Sequence, residues 1–213
     1  NKNLREVNGK PLIAHTIQQA KKVSSLDRSI VSTESEEIRA VSERFGADVP
    51  FERPQELATD TATSAEVVFH ALEWLQSSGA SFDHVCLLPV TTPFRSVSDI
   101  ESALSKLRAS EGSTLVSVTD FETPPFWTVE DTGSGLQPYF DKSPWDETQS
   151  QEFPSLIRPN GAIFAAQVPT FMEKKSFYTE NTVGYKMPRK RSLDIDEPFD
   201  LELARALMSW RKQ

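Results

Sequence analysis

The sequence is poor in cysteine, in long apolar runs and in net positive charge. Its single cysteine, Cys86, excludes an intramolecular disulfide and a zinc site built from several cysteines. No uncharged run approaches the roughly 20 residues that a membrane span needs. Lys and Arg number 23 against 31 Asp and Glu, and this net charge of -8 argues against a protein that wraps duplex nucleic acid. We therefore expect a soluble, cytoplasmic protein that binds neither nucleic acid nor membrane.

Histidine is also scarce, with three residues in a chain of 213. His15, His70 and His84 fall in helical or strand patterns, where we expect packing or surface side chains. The sequence contains no Ser-His-Asp or Cys-His arrangement, and Cys86 lies in an apolar run typical of a small core residue. Chemistry based on a nucleophilic triad is therefore not expected.

Helical and strand patterns alternate along most of the chain. Apolar spacing predicts helices after Pro11, through residues 38–45, after an N-cap at Ser64, over residues 97–109, near Phe171 and over residues 201–210. Strands are predicted at residues 28–33, 47–49, 83–90, 114–118 and 161–165, and the apolar run 83–90 is typical of the centre of a parallel sheet. Such alternation predicts an α/β fold with helices on both faces and a ligand site beyond the carboxyl ends of the strands.

Residues 121–155 differ in composition from the rest of the chain. They are rich in proline and contain aromatic residues without helical spacing, among them Phe126, Trp127, Tyr139, Phe140 and Trp145. We interpret this stretch as a hairpin and loop excursion. Because Trp, Tyr and Phe are enriched at interface cores, the excursion predicts a subunit contact.

The segment Ser192-Leu193-Asp194-Ile195-Asp196 carries the first candidate site. In an extended segment, Asp194 and Asp196 project to one side while Leu193 and Ile195 point into the core. Two carboxylates directed at one point repel each other unless a cation lies between them, and Mg²⁺ prefers such oxygen ligands together with substrate phosphates. The alternative is a pair of acidic residues at a strand end or a helix cap near Pro198.

Three loops carry further polar groups. Arg53-Pro54, followed by hydroxyls at residues 61–64, could supply donors to a phosphate or a base edge. Residues 91–95 (T-T-P-F-R) follow the central strand, where α/β sheets bind ligands. Residues 158–161 read R-P-N-G. The alternatives are solvated arginines, an ordinary helix cap and a tight Asn-Gly turn.

The order and spacing of these motifs resemble the acylneuraminate cytidylyltransferases, also called CMP-sialic acid synthetases. The resemblance rests on N-G-K-P-L-I at 8–13, R-P at 53–54, T-T-P at 91–93, R-P-N-G-A-I at 158–163 and S-L-D-I-D at 192–196. It implies a single domain over residues 1–213 with a three-layer, Rossmann-like nucleotidyltransferase fold. The expected sheet is mainly parallel, with an inserted dimerisation hairpin region at about residues 121–177. It also implies a homodimer that reacts CTP with a nine-carbon 2-keto sugar acid to give the CMP-sugar and pyrophosphate.

Site residues follow from the resemblance, position by position. It implies a Mg²⁺ cofactor held by Asp194 and Asp196, which form the catalytic set with Lys2. The expected nucleotide-binding residues are Lys2, Asn3, Arg53 and Ser64. The expected residues for the sugar acid are Arg158, Asn160, Phe177 and Tyr178.

Two departures from the family pattern affect these expectations. Relatives have a hydrophobic strand and a loop of the form A-R-x-G-S-K-G-x-P immediately before the position of Lys2, so we expect such a segment upstream of Asn1. Pro89 stands where relatives have a sugar-contacting glutamine, which leaves legionaminic or pseudaminic acid as alternative substrates. The motifs are also compatible with an octulosonic acid cytidylyltransferase, a glycosyltransferase of similar α/β type or a non-catalytic dimeric scaffold.

Overall fold

A four-stranded sheet forms the centre of the protein, for which the computed structural model describes residues 2–140 and 155–210. Its strands, in spatial order, are β3 (His84–Leu87), β7 (Ile157–Gln167), β4 (Thr114–Asp120) and β8 (Thr182–Lys186). β7 pairs antiparallel with β3 and β4, whereas β4 and β8 are parallel. Three of the four strands therefore share one direction, which confirms a mainly parallel α/β sheet with one reversed strand.

Six helices accompany the sheet in the described part of the chain. They are α1 (Leu12–Ala20), α2 (Glu36–Arg44), α3 (Ser64–Ser77), α4 (Val97–Ala109), α5 (Val168–Lys174) and α6 (Pro198–Trp210). On β4, Leu115 packs with the α4 side chains, while the adjacent Val116 packs with α3 and α5. Because neighbouring residues of a strand face opposite sides, this arrangement gives the expected three layers. No helix among the described residues is long and apolar enough to cross a membrane.

Thr63, not Ser64, is the N-cap of α3, so the expected cap position is wrong by one residue. The Thr63 hydroxyl accepts a hydrogen bond from the Glu66 amide, and the Glu66 carboxylate accepts one from the Thr63 amide. This reciprocal capping box needs an acidic or amide side chain three residues after the cap, and Glu66 lies three residues after Thr63, not Ser64.

The sheet differs from the prediction at its margins. Residues 28–33 and 47–49 form only one parallel bridge, between Ile30 and Asp48. β3 is shorter than the predicted strand 83–90 and lies at the edge of the four-stranded sheet. β8 is absent from the prediction, because its T-V-G-Y-K sequence is short and contains glycine, which weakens a strand pattern.

Only part of the expected insertion at residues 121–177 lies outside the central sheet. β5 (Val129–Asp131) and β6 (Leu136–Pro138) form a separate antiparallel hairpin. β7 is instead a strand of the central sheet that contacts two neighbours, so the insertion ends before residue 157. Trp145 lies outside the described residues.

The two ends of the described chain pack against each other. A small hairpin of β1 (Glu6–Val7) and β2 (Lys10–Pro11) contacts α6. Arg205 Nε donates a hydrogen bond of 3.1 Å to the Glu6 carbonyl. Val7 and Leu12 share an apolar cluster with Leu201 and Ala204. This packing brings the 3-10 turn Lys2–Leu4 towards the segment that precedes α6.

Candidate active site

The segment 192–196 connects the 3-10 turn Arg189–Arg191 to α6 and carries the paired carboxylates. The Ile195 amide donates a 2.9 Å hydrogen bond to the Thr91 carbonyl, which fixes the segment beside the loop after β3. Ile195 is buried and Leu193 is partly buried in the same apolar cluster. Asp194 is half-buried and Asp196 is exposed. The predicted alternation of apolar and acidic side chains is therefore confirmed.

Asp194 has an environment that disfavours its charged form. Burial raises its pKa above the ordinary value, and the neighbouring Asp196 carboxylate raises it too, while the Thr91 side chain and Lys2 lower it by less. Asp194 Oδ1 is buried, and no hydrogen-bond donor in residues 2–140 or 155–210 contacts it. An unpaired buried carboxylate oxygen is costly, so this group is suited to binding a cation.

Asp196 already contacts a positive charge. Lys2 Nζ lies 3.3 Å from Asp196 Oδ1, with both side chains substantially exposed. Asp200 Oδ2 accepts hydrogen bonds from the amides of Asp196 and Glu197, at 3.0 and 2.8 Å. These backbone bonds hold the pKa of Asp200 below its ordinary value and fix the backbone of Asp196. The structure therefore brings together the three residues of the expected catalytic set.

The carboxylate oxygens of Asp194 and Asp196 fit a magnesium ion as ligands. Mg²⁺ is commonly held by one or two carboxylates, with water and substrate phosphates as its other ligands. The unpaired oxygen of Asp194 and the exposed carboxylate of Asp196 provide that number of protein ligands. No group of three or more His, Cys, Asp or Glu suited to a metal occurs among the described residues. The remaining ligands would therefore come from solvent and substrate.

A cavity of about 900 Å³ adjoins this pair and is lined by three of the four expected nucleotide residues, Asn3, Arg53 and Ser64. Thr91, whose side chain interacts with Asp194, lines the same cavity. Deeper walls are apolar and come from helices on both sides, including Ile17, Leu72 and Leu104. One long wall is β3 with the residues that follow it, and residues 29–33 form another.

Glu34 is a site residue that lies outside the sequence motifs. Its Oε2 accepts hydrogen bonds from Arg53 Nε, at 2.9 Å, and from Arg53 Nη2. Burial raises the pKa of Glu34, but the hydrogen bond and charge of Arg53 lower it by more, so the pKa lies below its ordinary value. Glu34 directly follows the predicted strand 28–33, and ligand-site residues are expected just after such strands. This position in the sequence is the feature that could have identified Glu34 as a site residue.

Arg95 is a buried structural residue, whereas a solvated or ligand-binding arginine was expected. It is 1% exposed, and its Nη1 donates to the carbonyls of Pro89, Thr92 and Ala162 at 2.7 to 3.2 Å. Desolvation lowers its pKa to about 10. Its role is to hold the loop after β3 against β7, because no ligand could reach its side chain.

Of the expected sugar residues, Arg158 has an unpaired guanidinium among the described residues, whereas the Asn160 amide is already hydrogen-bonded. Arg158 is half-buried on β7, and within the described ranges it has no ion pair and makes one weak 3.4 Å contact, with the Pro159 carbonyl. Asn160 is 2% exposed, and both polar atoms of its amide are already hydrogen-bonded within the protein. Neither atom is therefore free to bind a substrate in this structure. The R-P-N-G motif is also part of a strand rather than a tight turn.

Phe177, which was expected to contact the sugar, is a core residue in this structure. It is 5% exposed and packs on Phe164 and Phe171, with ring centroids 5.6 and 4.6 Å away. Tyr178 is exposed, but the next residue, Thr179, hydrogen-bonds to Thr114 at the beginning of β4. That end of the sheet is opposite to the carboxyl ends of the strands. The structure therefore does not bring the aromatic pair to Asp194.

Comparisons with known proteins agree with this geometry. A family model described as "Cytidylyltransferase" matches residues 1–213. The chain is 35% identical to a CMP-N,N'-diacetyllegionaminic acid synthase of Legionella pneumophila, covering 100% of this chain and 91% of the relative. It is also 35% identical to an N-acylneuraminate cytidylyltransferase of Escherichia coli, covering 96% of this chain and 47% of the relative. A solved CMP:2-keto-3-deoxy-manno-octonic acid synthetase in complex with CTP shares the fold, with a TM-score of 0.71, 18% identity and coverage of 99% and 92%.

Proposed function

Because the chain belongs to the cytidylyltransferase family, we propose that it transfers the CMP group of CTP to a nine-carbon 2-keto sugar acid and releases pyrophosphate. The observation that carries this proposal is the position of Asp194, Asp196 and Lys2 beside a cavity lined by Asn3 and Arg53. The Legionella pneumophila and Escherichia coli relatives act on sugar acids of this class.

In the proposed reaction, the protein holds the nucleotide and neutralises its phosphates. Lys2 is exposed enough to leave Asp196 and contact a phosphate, and Arg53 is held in place by Glu34. Ser64, the first residue of α3, lines the same cavity, and helix N-termini favour anions. Placing the sugar hydroxyl in line with the α-phosphorus requires this fixed arrangement, since orientation contributes much of the rate in phosphoryl transfer.

We assign Asp194 and Asp196 as the residues that would hold Mg²⁺. When bound, such an ion neutralises phosphate charge and lowers the pKa of a coordinated hydroxyl. The ammonium group of Lys2 beside Asp196 supports the assignment, because it shows that this carboxylate attracts a positive charge. The unpaired Asp194 Oδ1 supports it independently.

Arg158 is our candidate for binding the carboxylate of the sugar acid. A guanidinium can bind a carboxylate through two parallel hydrogen bonds, and the guanidinium of Arg158 makes none with an acidic side chain in the described residues. Pro89 cannot supply the amide that relatives provide at its position, so the preferred acid is set by other contacts. We therefore propose a nonulosonic acid as the substrate class, with legionaminic and N-acylneuraminic acids as its first members to test.

The apolar part of the cavity supports the expected additional strand. β3 pairs with β7 on one side, and its other edge faces the cavity opposite residues 29–33. An apolar strand between these two walls would extend the sheet and cover helical side chains such as Leu72 and Leu104. We propose that an additional apolar strand occupies this position and leads into a phosphate-binding loop.

We also propose a homodimer formed through the hairpin β5–β6. Tyr139 and Phe140 are 64% and 42% exposed, and their rings pack edge to face with centroids 5.1 Å apart. Exposed aromatic clusters of this kind are typical of interface cores. Sedimentation should give a dimer at micromolar concentration, and Tyr139→Ser/Phe140→Ser should give a monomer. A wild-type monomer would contradict the proposal.

Pyrophosphate release from CTP tests the function directly. The assay contains Mg²⁺ and a panel of nonulosonic acids, with an octulosonic acid for comparison. We expect release with at least one nonulosonic acid and its loss in Asp196→Asn, which preserves size. Glu73→Gln, an exposed substitution on α3 with the same charge change, is the matched control and should keep full activity. Absence of release with every acid would overturn the function, and full activity of Asp196→Asn would overturn the metal assignment.

A further inference from the structure

Asn160 is the centre of a buried hydrogen-bond network beside the acidic pair. Its Oδ1 accepts from the Ser117 hydroxyl at 2.6 Å and from the Ala162 amide at 3.2 Å. Its Nδ2 donates to the Ser192 hydroxyl at 2.8 Å and lies 3.5 Å from Met187 Sδ. All the polar capacity of this side chain is therefore used within the protein, which is the pattern of a residue that holds other groups in place.

One side of the network shapes the backbone opposite Asp194. The bond from the Ala162 amide to Asn160 Oδ1 encloses Gly161, whose φ of +68° is a conformation that favours glycine. A Cβ atom on Gly161 would lie 3.2 Å from Asp194 Oδ2. The backbone that Asn160 fixes is thus a wall of the space occupied by the Asp194 carboxylate.

The other side of the network holds the segment that carries Asp194. Ser192 precedes Asp194 by two residues, and its hydroxyl accepts from Asn160 while donating to the Pro188 carbonyl at 3.0 Å. Asn160 therefore fixes the distance between the wall at Gly161 and the segment at Ser192. The Asp194 carboxylate lies between these two fixed parts.

We propose that Asn160 is a positioning residue that sets the Asp194 carboxylate for divalent-cation binding. This inference rests on the proposed metal site. A carboxylate that binds a metal must be held in a narrow range of positions, and outer partners that orient ligands contribute about tenfold or more to metal affinity. Loss of the Asn160–Ser192 bond would let the segment shift relative to Gly161. The cation affinity would then fall although both aspartates remain.

Direct measurement of Mn²⁺ binding by electron paramagnetic resonance tests the inference without an activity assay. The variants are Asn160→Ala and Ser192→Ala, of which the second removes one hydroxyl and is the milder change. Thr114→Val is the matched control, since the buried Thr114 hydroxyl bonds to Thr179 and Thr182 at the beginning of β4, away from Asp194. Melting temperatures are recorded for all variants.

We expect both network variants to bind Mn²⁺ about tenfold more weakly than the wild type, while Thr114→Val loses stability but keeps wild-type affinity. In turnover, the network variants should need about tenfold more Mg²⁺ for half-maximal rate, with an unchanged KM for CTP. If wild-type protein binds no Mn²⁺, the metal site itself is wrong. If wild type binds Mn²⁺ and Ser192→Ala binds it equally well, the positioning role is overturned. Equal weakening in Thr114→Val would also overturn it, because general destabilisation would then explain the loss.

Discussion

The buried ion pair between Asp99 and Arg191 offers a quantitative test of how the acidic segment is held. Asp99 is 1% exposed at the beginning of α4 and accepts hydrogen bonds from Arg191 Nε and Nη2 at 2.7 and 2.8 Å. The same carboxylate accepts the Ser96 amide at 2.8 Å and completes a capping box. Arg191 immediately precedes Ser192, so the pair fixes the start of the acidic segment. The proposed perturbation is Asp99→Asn, which retains volume and removes the charge.

The expected loss in free energy of unfolding is about 3 kcal/mol, because removing one partner of a buried pair costs about 3 to 5 kcal/mol and leaves the other charge without compensation. The lower end applies here, because the Arg191 side chain is 26% exposed and solvent can reach it. Arg191→Met should cost a similar amount, and the double variant should cost clearly less than the sum of the two.

The pH dependence provides a second measurement. Burial raises the pKa of Asp99, but hydrogen bonds from Arg191 and Ser96 lower it by more, so the folded-state pKa lies below its ordinary value. A lowered carboxylate pKa contributes stability that is complete well above about pH 4 and is lost as the pH falls through the folded-state pKa. The stability difference between wild type and Asp99→Asn should therefore narrow at acidic pH.

Urea unfolding of the four proteins in the double-mutant cycle, at pH 7 and at a series of acidic pH values, gives both quantities. Asp131→Asn, an exposed substitution in the hairpin, controls for the charge change alone. A coupling energy below about 1 kcal/mol, the range of exposed pairs, would refute the reasoning. A stability difference that stays constant from pH 7 to pH 3 would refute it as well.

Two further substitutions and one alkylation reaction test other parts of the structure. Gly161→Ala should lower the free energy of unfolding by about 1 to 2 kcal/mol and remove most turnover, because it combines positive φ with a Cβ 3.2 Å from Asp194 Oδ2. Gly79→Ala is the control, since Gly79 has positive φ but open space around it, and this variant should lose stability alone. An active Gly161→Ala would contradict the close approach. Arg95→Met should lower the free energy of unfolding by about 3 kcal/mol in urea, because three carbonyls lose a buried donor, and a change below about 1 kcal/mol would contradict this role. Desolvation raises the pKa of the partly buried Cys86 thiol to about 12. Its alkylation at pH 8 should therefore be slow in native protein and fast in urea, and rapid native labelling would contradict the raised pKa.

Local signals predicted the elements that depend on short-range pattern. The α4 bounds, Val97–Ala109, follow from apolar spacing. The alternation of Leu193 and Ile195 with the two aspartates follows from period-two geometry in an extended segment. Both are properties of a few adjacent residues, which is why the sequence was sufficient.

The sequence did not indicate the burial of residues whose environment is made by distant parts of the chain. Asn160 is buried by Ser117, Met187 and Ser192, and nothing in its own motif reveals these partners. Phe177 is buried for the same reason, by aromatic rings from β7 and α5. Motif resemblance locates the neighbourhood of a site, but tertiary packing decides which side chains can touch a ligand.

The packing of Lys2 and Glu6 against residues in or near α6 has a consequence for biosynthesis. Lys2 and Asp196 are 194 positions apart in sequence, and Glu6 contacts Arg205 across a similar span. During translation, Lys2 is synthesised 194 residues before Asp196 and lacks this partner throughout the interval. At about 5 to 20 residues per second, this interval lasts on the order of 10 to 40 s. The acidic centre can thus assemble only after Asp196 has been synthesised, and polypeptides that terminate before this residue cannot form it.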